Sequence, residues 1–310
     1  MVEPLSIGLG TGTAISLLLA NSIYVRYNSY KDEYIETRQG KGGFEKVIKN
    51  PKKKYGLICL YKPSFSYFKR SVKNTGELVY DALISRGYEK ENLFVLEGKN
   101  KPSNQFDCNT LPFSKKHTIE ALEHLGKEIK ENDVFFMYVM THGYKTRPIP
   151  FIYGGQSTLM TFDNEFWITE KELEERLSDI HSHYSVTFFN SCYGGGFAKR
   201  LGKGRNIGIS VSREDKSTMG YSGVKISEKY GDFISAFTMF FFSVLKGSLP
   251  DGKKIDFPND LSTAFRASSI YERISHDDDM KRVYWKKMFS FFKNTPHLFY
   301  DKINPGQVVL

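Results

Sequence analysis

Short apolar runs alternate with amphipathic stretches along most of the chain. Tyr55 to Tyr61 is a run closed by Lys62-Pro63-Ser64, and it predicts a first buried strand. From Phe68 to Ile84 the apolar residues Val72, Leu78, Val79, Ala82 and Leu83 recur at helical spacing, and Arg86-Gly87 stops the pattern. Leu93 to Leu96 is a second short strand, followed by a polar loop to Leu111. Ser114 stands before a helix from Lys115 to Lys130 that carries Ile119, Leu122, Leu125 and Ile129 along one side. Val134 to Met140 is continuously apolar and predicts a third strand. The order strand, helix, strand, helix, strand argues for a parallel sheet covered by helices.

The second half continues the alternation. After His142 an irregular insert runs through Asp163, with the glycine and apolar alternation of a small hairpin. Thr169 caps a helix from Glu170 to Ile180, and Glu172 at its third position completes a capping box. Tyr184 to Phe189 and Ile207 to Ser212 read as strands, Phe233 to Leu245 as an aromatic-rich helix, Phe257 to Asn294 as helical, and Leu298 to Tyr300 as a last strand. There is no internal repeat and no low-complexity segment.

Pro4 to Val25 contains no charged residue and is centred on Leu17-Leu18-Leu19-Ala20. Its length is about what a helix needs to cross a bilayer, roughly 20 residues. Arg26, Lys31, Arg38, Lys41 and Lys46 follow it, so the positive-inside rule keeps the remainder cytoplasmic behind an N-terminal anchor. A cleaved signal peptide with export is the alternative, as is a helix packed on the protein's own core. The expected organisation is a hydrophobic segment over 1–25, a basic linker over 26–54 and a catalytic domain over 55–310.

Composition changes this picture little. The chain has 310 residues, 40% hydrophobic and 25% charged, which excludes a disordered or fibrous protein. The formal charge of +9 is an outlier, but apart from Lys49 and the Lys52-Lys53-Lys54 cluster the lysines are spread out, without zinc spacing or an aromatic-interleaved stripe, so nucleic acid is not the expected partner. Three cysteines, Cys59, Cys108 and Cys192, are too few for a disulfide framework. Cys59 lies in an apolar run, and Cys108 sits in a loop with no nearby histidine.

Cys192 has the neighbours a nucleophile needs. The Val134 run stops at Thr141-His142-Gly143 and the Tyr184 run at Asn190-Ser191-Cys192-Tyr193-Gly194-Gly195-Gly196. Ligands bind at the C-terminal edge of an open parallel sheet, and adjacent strands would bring His142 and Cys192 to that rim. A thiolate attacks, an imidazole exchanges the proton, and the amides of Cys192 and Gly143 could receive the developing oxyanion. The reaction class is acyl transfer through a thioester. No metal or organic cofactor is called for. A buried structural cysteine beside an unrelated loop histidine is the competing reading, and the spacing of 50 residues, close to that of caspases, weighs against it.

Val134 to Gly143 together with Phe188 to Phe197 closely resembles the legumain family of caspase-like cysteine peptidases, which includes the catalytic subunit of the GPI-anchor transamidase. The resemblance extends over about residues 55 to 300. Arg70-Ser71-Val72-Lys73-Asn74-Thr75 looks like the family's arginine motif, and Arg86-Gly87 with Glu91-Asn92-Leu93 looks like its helix-to-strand turn. Tyr230-Gly231-Asp232-Phe233 is similar to a segment lining the primary specificity pocket, and Pro296-His297-Leu298-Phe299 to the closing strand. The resemblance implies a caspase-like α/β three-layer sandwich. It also implies a catalytic dyad of His142 and Cys192, an oxyanion donor at Gly143, and substrate contacts from Arg70, Asn190, Ser210 and Asp232. Asn190 stands where legumain has an acidic residue, so preference for asparagine does not carry over. The family's third catalytic asparagine falls on Phe68, which leaves a dyad. The expected function is a membrane-tethered cysteine endopeptidase acting on peptide or protein substrates. A transpeptidase with the same dyad and a non-catalytic caspase-like scaffold at a membrane are the alternatives.

Overall fold

All seven residues of Val134–Met140 are buried, and they divide by parity between two hydrophobic clusters. Val134, Phe136, Tyr138 and Met140 join one, and Phe135, Met137 and Val139 join the other. A strand covered on both faces is what a parallel sheet requires, since its crossover helices lie on both sides. A computed structural model describes residues 35–48, 50–61, 66–98, 106–145, 157–160, 167–214, 235–249, 252–255, 260–270 and 296–310.

The strands are β1 (Ile35–Arg38), β2 (Lys54–Leu60), β3 (Leu93–Glu97), β4 (Asn109–Leu111), β5 (Val134–Met140), β6 (Gly143–Lys145), β7 (Ser157–Met160), β8 (Trp167–Thr169), β9 (Tyr184–Asn190), β10 (Asn206–Ser210) and β11 (His297–Tyr300). The helices are α1 (Ser66–Ser85), α2 (Lys115–Glu128), α3 (Glu170–Leu177), α4 (Gly194–Leu201), α5 (Ala236–Lys246) and α6 (261–270). Eight strands form one sheet in the order β1-β11-β10-β9-β5-β2-β3-β4, and β6, β7 and β8 form a small antiparallel sheet beside it. Every pairing in the large sheet is parallel except β10 with β11. Val79 of α1, Phe237 and Phe241 of α5 and Phe265 of α6 pack with one face. Leu122 of α2, Leu173 of α3 and Phe197 of α4 pack with the other. The molecule is therefore a three-layer α/β structure with a mostly parallel sheet.

The expected strands and capped helices form where the pattern places them. Ser114 accepts from the His117 N–H and Thr169 from the Glu172 N–H, each closing the first turn of its helix. One boundary needs correction. The domain does not begin at Tyr55, because residues from the expected linker enter the sheet as β1, parallel to β11 with Arg38 opposite Tyr300. The Gln39 side chain donates to the carbonyls of Lys199 and Gly202, at 2.6 and 2.9 Å. Val47 joins the core, and Glu45 bridges Arg205 and Lys302, at 2.6 and 3.4 Å. β1 is a short, polar edge strand, and such strands carry no apolar run.

Among the described residues no helix is long and apolar enough to cross a membrane. The expected anchor over 4–25 and the helical stretch from 271 to 294 lie outside the described residues.

Candidate active site

β5 and β9 are parallel neighbours, with Met140 opposite Asn190 at the last step of the ladder. His142 and Cys192 are each the second residue beyond that pair, so two loops leave the same edge of the sheet side by side. Gly143 shows how closely they meet. A Cβ placed there would lie 1.8 Å from the Cys192 carbonyl oxygen and 2.8 Å from its carbon. The close approach therefore requires glycine at this position, and Gly143 then starts β6.

Cys192 is half-buried at a tight turn between β9 and α4. The next residue, Tyr193, has φ 57° and ψ 13° and is the only non-glycine with positive φ among the described residues. A non-glycine residue there costs on the order of 1–2 kcal/mol, so the surroundings must fix the turn. The Gly194 N–H donates to the Ser191 carbonyl at 3.2 Å and to Ser212 Oγ at 3.0 Å. The Ser212 hydroxyl in turn donates to the Ser191 carbonyl at 2.7 Å. Ser210 completes the brace, accepting from the Ser212 N–H at 3.1 Å and donating to the Ser212 carbonyl at 2.7 Å. The N-terminus of α4, the end of a helix that favours anions, stands directly behind the cysteine.

The other two thiols are poor rivals. Cys59 is fully buried in β2, and burial pushes its thiol far up. Burial is also the main cause that pushes the Cys108 thiol up to about 11. A nucleophile must be available as thiolate, which disfavours both.

His142 is exposed and contacts Tyr61 edge to face, with ring centroids 4.8 Å apart and planes at 72°. Desolvation by the surrounding protein holds its imidazole below the ordinary histidine range, which favours the neutral, proton-accepting form. Tyr61 is the first residue after β2, and its N–H donates to the Met140 carbonyl at 2.8 Å. Burial, then the neighbouring Tyr144, pushes the Tyr61 phenol up, so it is neutral wherever His142 titrates.

The residues expected to meet substrate are divided. Arg70 is exposed in the second turn of α1, the helix that follows β2, whose end lies at the same edge of the sheet as the loops carrying His142 and Cys192. Ser210 is fully buried in the brace. Asn190 is only 5% exposed and points inward. Its amide donates to the Tyr138 hydroxyl and to Thr238 Oγ1, both at 3.0 Å, and Thr238 Oγ1 also accepts from the Ser235 hydroxyl at 2.7 Å. As placed, Asn190 and Ser210 support the cysteine loop from beneath instead of lining a surface. Asp232 lies outside the described residues. Among the described residues no cluster of three or more histidine, cysteine or carboxylate side chains is placed to hold a metal.

Asn190→Ala tests this inward role. Removing the amide leaves two buried hydroxyls short of a donor, with an expected cost of about 1–3 kcal/mol. A lowered melting temperature with little change in KM is the expected result; a changed KM at unchanged stability would place Asn190 against substrate.

Sequence reasoning did not single out Tyr61, Tyr138, Ser212, Ser235 or Thr238. Tyr61 and Ser212 were hidden at the ends of apolar runs that read as strand.

No protein-family model matches the chain, and no curated protein does. Among solved structures, a crystal structure of a protein from Geobacter sulfurreducens is similar to it with a TM-score of 0.51. The two chains are 13% identical, and the match covers 83% of this chain and 97% of that one. What they share is the fold. At that identity the likeness extends to the mixed α/β architecture and says nothing of chemistry.

Proposed function

We propose that the protein is a cysteine endopeptidase of caspase-like architecture, similar to the legumain family, acting through Cys192 and His142. The observation that supports this most is the Met140–Asn190 register, which sets the two residues at equivalent positions beyond adjacent parallel strands. Gly143 lies so close to the Cys192 backbone that the two loops run side by side there.

In this reading the Cys192 thiol gives its proton to His142, and the sulfur attacks the scissile carbonyl carbon. The C=O electrons move to oxygen, and the N–H groups of Cys192 and Gly143 receive the resulting oxyanion. Collapse breaks the C–N bond, and His142 returns the proton to the departing amine, leaving a thioester. Water then gives a proton to His142 and attacks the thioester, and the departing sulfur recovers that proton. Peptide or protein chains are the substrates. The uncharged stretch over 4–25, with basic residues after it, supports a membrane tether with the peptidase on the cytoplasmic side.

The test is incubation of the full chain with a mixed peptide library, read by mass spectrometry across pH. Cleavage that is lost after treatment with a thiol reagent is expected. His142 packs edge to face on the Tyr61 ring, and desolvation lowers its pKa, so it stays neutral to lower pH than an ordinary histidine. The acid limb of kcat/KM is therefore expected below pH 6.5, the ordinary histidine value. Cleavage insensitive to thiol reagents, or an acid limb above that value, would count against the proposal.

A further inference from the structure

A general base is effective only while its ring is aimed at the proton it takes, and catalytic imidazoles are ordinarily oriented by a hydrogen bond that they donate to a third group. His142 lies on a loop with its side chain only partly covered, and among the described residues no side chain hydrogen-bonds its ring. What it does contact is Tyr61, at 4.8 Å between centroids in an edge-to-face arrangement. From this geometry we infer that Tyr61 is the positioning residue of the site: its ring holds the His142 imidazole facing Cys192. The inference rests on the cysteine-peptidase reading.

The placement of Tyr61 follows from the sheet. β2 and β5 are parallel neighbours with Leu60 opposite Met140, so Tyr61 and Thr141 leave the edge at the same level. The Tyr61 N–H bond to the Met140 carbonyl extends the ladder by one step and fixes the Cα of the tyrosine. A ring anchored there meets His142, the residue after Thr141 on the neighbouring loop. Edge-to-face pairs favour a narrow range of ring orientations through the aromatic quadrupole, and they act without a charge or a proton. Tyr61 therefore restricts the imidazole without changing what it can accept. The effect belongs to the ring, and the hydroxyl is dispensable.

The variants are Tyr61→Phe, which keeps the ring, and Tyr61→Leu, which removes it, with Tyr61→Met as a second deletion should the leucine variant fold poorly. Each full-length variant is compared with wild type and with His142→Ala in two assays: kcat and KM for peptide cleavage, and the rate of Cys192 alkylation by iodoacetamide. Tyr61→Phe is expected to match wild type in both. The leucine and methionine variants are expected to lose about three- to tenfold in kcat and in alkylation rate at unchanged KM, the population shift that an aromatic pair of this kind supports. A slow His142→Ala with wild-type rates in Tyr61→Leu and Tyr61→Met would overturn the inference and leave the dyad standing. Equal losses in Tyr61→Phe and Tyr61→Leu would also overturn it, by assigning the effect to the hydroxyl. If His142→Ala reacts and cleaves like wild type, the dyad itself is wrong and the role of Tyr61 falls with it.

Discussion

Cys192→Ala is expected to remove peptidase activity, lowering kcat/KM by about 10,000-fold or more, while the melting temperature stays close to that of wild type. The size of the loss reflects the chemistry. Without the sulfur there is no acyl-enzyme, and the oxyanion donors and binding contacts alone supply only a residual rate. The intact fold reflects position, because Cys192 is half-buried at a loop and does not belong to either hydrophobic cluster. Cys108→Ala is the matched control. Its thiol is pushed up to about 11, mainly by burial, and the variant is expected to cleave at the wild-type rate. Cleavage rates and thermal melts of the two variants side by side check the assignment. Retained activity in Cys192→Ala would remove the nucleophile from the account.

Gly143→Ala is expected to lower kcat by about 100-fold or more, for a different reason. The added methyl would sit 1.8 Å from the Cys192 carbonyl oxygen, and both partners are backbone, so no side-chain rotation relieves the collision. The loops carrying His142 and Cys192 must separate, and a displacement near 1 Å at a reacting centre costs on the order of 100-fold. The Gly143 N–H, one of the two proposed oxyanion donors, moves with the loop. Forcing a methyl into packed structure also costs roughly 1–3 kcal/mol of stability. The combination of a large fall in kcat and a moderate fall in melting temperature, measured on the same preparation, distinguishes this variant from Cys192→Ala. A Gly143→Ala protein with wild-type kcat would show that the two loops need not touch for activity.

The central strands and the helices on both faces were legible because a parallel sheet imposes a strong pattern. A strand such as Val134–Met140 must be apolar at every position, and its covering helices must be apolar along one side. The edges were not legible for the same reason. β1 and β4, with the sequences Ile-Glu-Thr-Arg and Asn-Thr-Leu, are short and partly solvated, and nothing in their composition separates them from loop. Nor does composition fix strand direction, so the antiparallel β10–β11 step could not be read.

The site shows the same division. Two reactive residues at the ends of two apolar runs are visible in the sequence, but the adjacency of those runs is a property of the sheet order. The inward turn of Asn190 follows from parity once the register is known. It shares a sheet face with Phe188 and, across the ladder, with Tyr138, and that face is covered by α5. Tyr61 carries no such signal. An aromatic at the end of a buried run is ordinarily core, and only the pairing of β2 with β5 brings it to the histidine.

The measurement that tests the central claim most directly is capture of the acyl-enzyme. The full chain is mixed with cleavable peptides, quenched in acid within the first turnover, digested and mapped by mass spectrometry. The account predicts a peptide-derived acyl group on Cys192 as a thioester, released by hydroxylamine and missing in Cys192→Ala. Turnover with no adduct on Cys192, or an adduct on another residue, would contradict it.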